Sequence, residues 1–533
     1  MSRWNAEHET IFLGGEVRWS GVAVPAEALL VRGGRVAVVG PAAEVKAAAS
    51  PGATVEHLEG GVVTPGLTDS HVHLTAWALA RGRIDLNGTA SLEEGLTRVA
   101  AGLNGGGEWV LGLGWDLHRW QALPDRHALD RVVPDRPVLL ESHDLHAAWL
   151  NSEALWRCGI DRDTPDPPGG EIIRDPVTGD PTGVLVEEAR KLAFARVPLP
   201  GASDIQESII AAQRHAHSLG LTGMHSVEPH GLADCEALYH TDRLRLRILQ
   251  HIALDHLDEA IGMGLHSGSG GDWIRIGGVK MFLDGALGSR TAWMHEPYEG
   301  RPDSYGIRII DRATFRRIVE RAADAGLAST VHAIGDAAVE MAIDILSAVR
   351  PPAAIPHRIE HLQLCPPRLW DRAAGSGIVA SMQSIHLLTD LPTAERDWGH
   401  ERCQGAFAFA PLLERGMTLA LGSDAPVESI DPRGGLFAAV RRVTWQGEPA
   451  GEWYPENSLS PAQALAAYTR GPALAAGEAG RRGQLSPGAD ADLVIWDRDP
   501  VGVPPEELLE MRCLLTMVAG EVVYRAEHSD SPS

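Results

Sequence analysis

The chain has 533 residues, enough for two or three domains and a large buried core. Hydrophobic residues make up 44% and charged residues 22%, which excludes wholesale disorder. Forty-seven basic against 71 acidic side chains give a formal net charge of −24, which excludes a nucleic-acid binder and favours small neutral or cationic ligands. No apolar run reaches the roughly 18–20 residues of a membrane helix. The opening MSRWNAEHETIF has no apolar core of a secretory signal. The five cysteines (Cys158, Cys235, Cys365, Cys403, Cys513) are scattered and lack CxxC spacing, so neither a disulfide framework nor a Cys-type zinc site is expected. The expected setting is a reduced cytoplasm, with no nucleic-acid or membrane partner.

Residues 8–62 alternate short apolar runs with glycine turns and read as a small β-rich unit. Residues 483–497 and 514–525 resemble it, so the two ends can pair into one composite β-sandwich, expected over 1–62 and 475–533. Between them, strand-like runs alternate with amphipathic helical stretches. Eight strands are expected, at 61–67, 222–227, 246–253, 276–283, 328–334, 357–363, 377–383 and 417–424. Eight βα units point to a TIM barrel over 63–474. The stretch 83–205, between the first and second of these strands, is expected to be an inserted subdomain over the barrel mouth, its Pro/Gly-rich loops forming a lid.

The chemistry-bearing residues fall at strand ends. His71 and His73 form HVH directly after the first strand, and on an extended segment side chains two apart share a side. They can grip one cation, or simply be core histidines. Only three lysines occur, Lys46, Lys191 and Lys280, and the last lies inside the strand IGGVKMFL. Lysine shifts its pKa on burial and arginine does not. Lys280 therefore reads as a Schiff-base nucleophile, a CO2-derived carbamate, or a buried amine paired with Asp284. His332, His361 and Asp424 end the fifth, sixth and eighth strands. C-terminal strand ends are where barrel active sites form, and imidazoles with a carboxylate suit zinc.

The order HxH on strand 1, Lys on strand 4, His on strands 5 and 6, and Asp on strand 8 resembles the amidohydrolase superfamily. The phrases VVTPGLTDSHVHL, VKMFLDGALGSRTA, VHAIGD, RIEHLQ, LGSDAPVESIDP and PGADADLVIWD carry the resemblance over nearly the whole chain. The long insertion and GSRTA are similar to the amidohydrolase-3 branch, in which N-substituted formamide deformylase falls. The resemblance implies a metal-dependent (β/α)8 barrel with a β-sandwich built from both chain ends, and a homodimer. It implies one or two divalent ions, zinc being the expected one. His71 and His73 would hold the deeper ion, His332 and His361 the second, and Lys280, carbamylated, would bridge them or ligate one. Asp424 would ligate metal and act as general base and then acid. Two local departures bear on substrate. The branch often shows DGH where this chain has Asp144-Leu145-His146, and proline after SMQ where it has Ser384.

The expected reaction is hydrolysis of a C–N bond, in an amide or an N-formyl or N-acyl amine, by a metal-activated hydroxide. The same fold can also serve a deaminase, an esterase or lactonase, or an isomerase acting on a small molecule. A metal-free lyase using Lys280 would leave the histidines and Asp424 without a task. Candidate substrate contacts are Arg290 after the fourth strand, and His146, Asn151 and Trp115 in the insertion. Asp69 shares the parity of His71 and His73 and can steady them. His225 and His251 read as core.

Overall fold

The computed structural model describes residues 9–18, 26–103, 108–116, 120, 124–142, 147–198, 200–352 and 354–527. The chain divides into two compact units, Met1–Trp77 with Ile210–Ser533, and Ala78–Ile209. Among the described residues no helix is long and apolar enough to cross a membrane.

The first unit holds a barrel of eight parallel strands in chain order: Leu67–Val72, Leu221–Ser226, Arg247–Ala253, Ile274–Phe282, Ser329–Ala333, Arg358–His361, Val379–Met382 and Thr418–Leu421. Neighbours pair in parallel through the backbone, with register shifts in the second strand's pairing with the first and in the third strand's pairing with the fourth. The last strand meets the first at their C-terminal ends, where Asp424 N donates to His71 O at 2.7 Å and His73 N donates to Ala425 O at 2.9 Å. Barrel closure and the predicted ligand positions thus coincide.

The strand expected at 61–67 is two strands in two sheets. Val62–Pro65 pairs antiparallel with Leu493–Trp496 in the sheet of the chain ends, and Leu67–Val72 opens the barrel. The break is Gly66, where a Cβ would lie 2.3 Å from Thr222 Oγ1. The run reads as one strand because both halves are buried, and only the Pro-Gly pair marks the change of sheet.

The sheet of the chain ends has eight strands: Glu9–Val17, Ala26–Arg32, Arg35–Gly40, Thr54–His57, Val62–Pro65, Leu493–Trp496, Cys513–Val518 and Glu521–Arg525. Its faces follow the two-residue period. Phe12 and Leu29 join Leu493 and Met517 in one core. Ile11, Leu13 and Leu30 point the other way, onto Val45 of the helix Ala42–Ala48. Asp492 ties this sheet to the barrel, taking both Arg247 Nε and Nη2 at 2.9 Å.

The second unit has its own six-stranded sheet and its own core. In it Trp115 stands with Trp120 and Trp149, ring centroids 6.1 and 6.4 Å away. Trp115 is 1% exposed and its indole N–H donates to Leu140 O at 2.8 Å. The expected substrate-wall role for Trp115 is therefore corrected: it is core packing with its one donor used. Asn151 is corrected likewise. It caps the helix Ser152–Cys158 by accepting from Ala154 N at 2.9 Å, accepts from Val138 N at 3.0 Å, and donates to Val133 O and Arg136 O at 2.9 and 2.8 Å. No amide atom is left for a substrate.

Candidate metal centre at the barrel mouth

The strand ends deliver five of the expected residues to one place. The His71 and His73 rings lie 5.9 Å apart on the same side of the chain. Asp424 Oδ1 stands 3.3 Å from the Nε2 of each. One donor atom from each of these three residues falls within 4.8 Å of the others. His361 lies 4.8 Å from the His71 ring, and His332 lies 4.4 Å from His361. Two of the five adopt left-handed backbone, His361 at φ 70° and Asp424 at φ 63°. Non-glycine residues pay for that conformation, and such strain concentrates where a side chain must be aimed.

The protonation pattern suits a cation. Burial holds His361 well below the usual imidazole range and His332 at about 3, so both offer neutral lone pairs at pH 7. His332 Nε2 faces the Gly285 carbonyl at 2.9 Å, which makes it the protonated nitrogen and leaves the lone pair on Nδ1. His71 Nδ1 faces Glu360, which leaves its lone pair on Nε2. Burial opposes ionisation of Asp424, but the surrounding histidines hold its carboxyl well below the ordinary range. Among the buried imidazole nitrogens that make no hydrogen bond, His71 Nε2 and His361 Nδ1 belong to this centre. Orphaned buried polar atoms are costly, and neutral nitrogens beside a carboxylate are the donor set of a zinc-type ion. The residues present fit a divalent metal.

Lys280 sits on the fourth barrel strand and is 4% exposed. Burial pulls its amine down to about 8, with Glu360 and Asp424 offsetting part of the fall. Its Nζ lies 4.8 Å from the ring of Phe282, which in turn lies 5.0 Å from His332 and is 43% exposed. Asp284 does not pair with Lys280 in the described contacts. Its carboxylate accepts from the backbone of Trp293, Ile334 and Gly335, and burial raises it to about 7. Asp69 steadies backbone rather than rings: its Oδ1 takes His71 N at 3.0 Å and Ser423 N at 3.1 Å. Arg290 follows the fourth strand, and its Nε is held by the buried Asp397 at 2.9 Å. His146 lies outside the described residues.

Sequence reasoning missed three residues at this centre. Glu360 and Arg358 form a buried ion pair beneath His71. An Arg and a Glu two apart in an apolar strand are the signal that could have flagged them. His386, on a 3-10 turn after the seventh strand, places Nε2 3.5 Å from Asp424 Oδ2. Nothing in its local sequence sets it apart.

A parallel barrel with imidazoles and a carboxylate converging at its C-terminal end is the architecture of a metal-dependent hydrolase. The sequence profile of the amidohydrolase family matches residues 54–524, and the chain belongs to that family. It is 33% identical to the putative amidohydrolase YtcJ of Bacillus subtilis, over 88% of this chain and 90% of the relative. It is 30% identical to N-substituted formamide deformylase of Arthrobacter pascens, over 94% and 95%. Among solved structures, a metal-dependent hydrolase from Pyrococcus horikoshii superposes with a TM-score of 0.78 at 28% identity, covering 93% of this chain and 99% of that one.

Proposed function

We propose that this protein hydrolyses a C–N bond of a small molecule, an amide or an N-formyl or N-acyl amine, with one or two zinc ions as cofactor. The observation that carries the reading is the His71, His73 and Asp424 cluster, whose donor atoms lie within 4.8 Å of one another. His71, His73 and Asp424 would hold one ion, and His332 and His361 a second, with Lys280, as a carbamate, between them. A divalent ion there supplies Lewis acidity and lowers the pKa of water toward neutrality.

The protein's own groups do the proton work. Asp424, ionised at neutral pH, takes the proton of the attacking water and returns it to the leaving nitrogen. A C–N leaving group needs that return, because an amine departs poorly as an anion. Phe282 presents an apolar ring beside His332, which suits an apolar substituent on the substrate. The relative that cleaves N-substituted formamides, matched over nearly the whole chain, supports the same bond class. All five cysteines are free and buried, in keeping with a cytoplasmic setting, and the assembly is proposed to be a homodimer.

The test is metal content of protein purified without chelators, followed by turnover of N-substituted formamides and N-acyl amines beside esters and ring-deamination substrates. Zinc with amide or formamide turnover, lost on chelation and restored by zinc, is expected. Turnover confined to esters or ring amines would overturn the bond assignment, and a folded, metal-free, inactive protein that zinc does not restore would overturn the reading whole.

A further inference from the structure

Beneath the barrel mouth an arginine and a glutamate are sealed in the apolar interior. Arg358 is 1% exposed and Glu360 is 0% exposed. Every nitrogen of the guanidinium has a partner. Its Nε and Nη2 donate to the two oxygens of Glu360, Nη2 also donates to Ser381 Oγ at 2.6 Å and to Ser70 O, and Nη1 donates to His225 Nδ1 at 3.0 Å. Those partners come from the first, second, sixth and seventh barrel strands, so Arg358 is clamped from across the barrel.

Such a pair is a poor way to gain stability. Desolvating two charges offsets their attraction, and apolar residues of similar volume often serve as well or better. Such residues fill the same strand and its neighbours: Ile359, Val331, Val379 and Leu419 are all buried. What the pair does that an apolar pair cannot is present a carboxylate to His71. Glu360 Oε2 accepts from His71 Nδ1, and the opposite nitrogen of that ring faces Asp424 Oδ1 at 3.3 Å. The chain of contacts is directional. Arg358 can only donate, Glu360 accepts from it and from His71, and the His71 lone pair is left pointing at the mouth.

We propose that Glu360, held by Arg358, is the positioning residue for the His71 ligand: it fixes the ring's tautomer and orientation and raises its basicity toward the metal. A carboxylate behind a ligating histidine tunes metal affinity by about 10–100-fold in general. The inference rests on the metal reading above, and it adds that the metal's hold depends on two residues that do not touch it.

The experiment measures zinc affinity by competition with a chromophoric chelator, with fold checked by circular dichroism and thermal melting. Four proteins are compared: wild type, Glu360→Gln, Glu360→Gln with Arg358→Met, and Glu360→Leu with Arg358→Met. The last removes both charges and the acceptor, and leaves no buried charge unpaired. It is expected to stay folded and to bind zinc about 10–100-fold more weakly. The Gln/Met protein keeps an amide acceptor and is expected to recover part of that loss, a rescue that simple packing would not give. Wild-type zinc affinity in a folded Leu/Met protein overturns the inference while leaving the metal reading intact. Should Leu/Met not fold, Glu360→Gln decides alone, and wild-type affinity there overturns it. No zinc on the wild-type chain overturns the metal reading and this inference with it.

Discussion

Asp69 and Gly422 are built against each other at the seam where the barrel closes. Asp69 Oδ1 receives the backbone N–H of His71 from the first strand and of Ser423 after the last. A Cβ on Gly422 would stand 2.7 Å from that oxygen and 2.5 Å from His71 N. Both neighbours are fixed, one as backbone and the other by its two hydrogen bonds. Gly422→Ala is therefore expected to force the seam apart, costing about 1–3 kcal/mol of stability. Because the displaced atom is His71 N, zinc affinity should fall with stability. Denaturant unfolding and chelator competition check the pair. An alanine protein equal to wild type in both would show that the seam tolerates the methyl group.

Asn151 separates a structural from a substrate role. Its side chain caps one helix and joins three further backbone groups, with all but the bond to Arg136 O buried. Asn151→Ala deletes the cap and strands those backbone partners, an expected loss of about 3 kcal/mol. Turnover per folded molecule should not change, and neither should KM. A raised KM with stability intact would restore the substrate contact first expected from the sequence.

Two histidines far from the metal centre set an acid limit on stability. Burial lowers His217 and His357 to about 4 each. His217 Nδ1 donates to Leu221 O at 3.0 Å, and His357 Nδ1 accepts from Ser329 N at 2.9 Å, so both are held neutral. The unfolded chain protonates them near 6.5 and the folded chain near 4. Between those values the unfolded state binds more protons, so stability falls as pH drops through that window. Each can contribute on the order of 3 kcal/mol to the loss when the window is crossed. Unfolding free energies measured at both ends of the window should show a shallower slope in His217→Gln and in His357→Gln. An unchanged slope in both would assign the acid limit to other groups.

The parts of the fold and site legible in the sequence share a cause. Barrel strands are largely apolar runs, and His332 and His361 stand out as polar residues at their C-terminal ends, with Asp424 just past the last one. His71 and His73 were legible through the two-residue period of an extended chain. Glu360 was not, although it adjoins His361, because which way a strand residue points depends on where the barrel lies. Trp115 was misread because a tryptophan in the insertion's core and one in a pocket wall have the same local sequence. The split of 61–67 into two sheets was hidden because burial on both faces erases the alternation that would separate them.

His386 is a test of how Asp424 is held. Its Nε2 lies 3.5 Å from Asp424 Oδ2 and its Nδ1 lies 3.8 Å from Asp390 Oδ2. Burial alone would lower this imidazole, but Asp424, with Asp390 and Glu428 beyond, more than offsets it and raises the group to about 8. A charged imidazole thus stands beside the second oxygen of the proposed general base. The other oxygen, Oδ1, stays with His71 and His73. His386→Asn keeps a small polar group and removes the charge. The expected result is a kcat about 10–100-fold lower, a modest fraction of what general acid–base catalysis supplies, since the base remains in place. KM and zinc affinity should stay near wild type, because the proposed ligand atoms are untouched. A kcat within about twofold of wild type, small beside that range, would show that Asp424 needs no partner on this side. A loss of zinc without a change in kcat per bound metal would place His386 among the ligands instead.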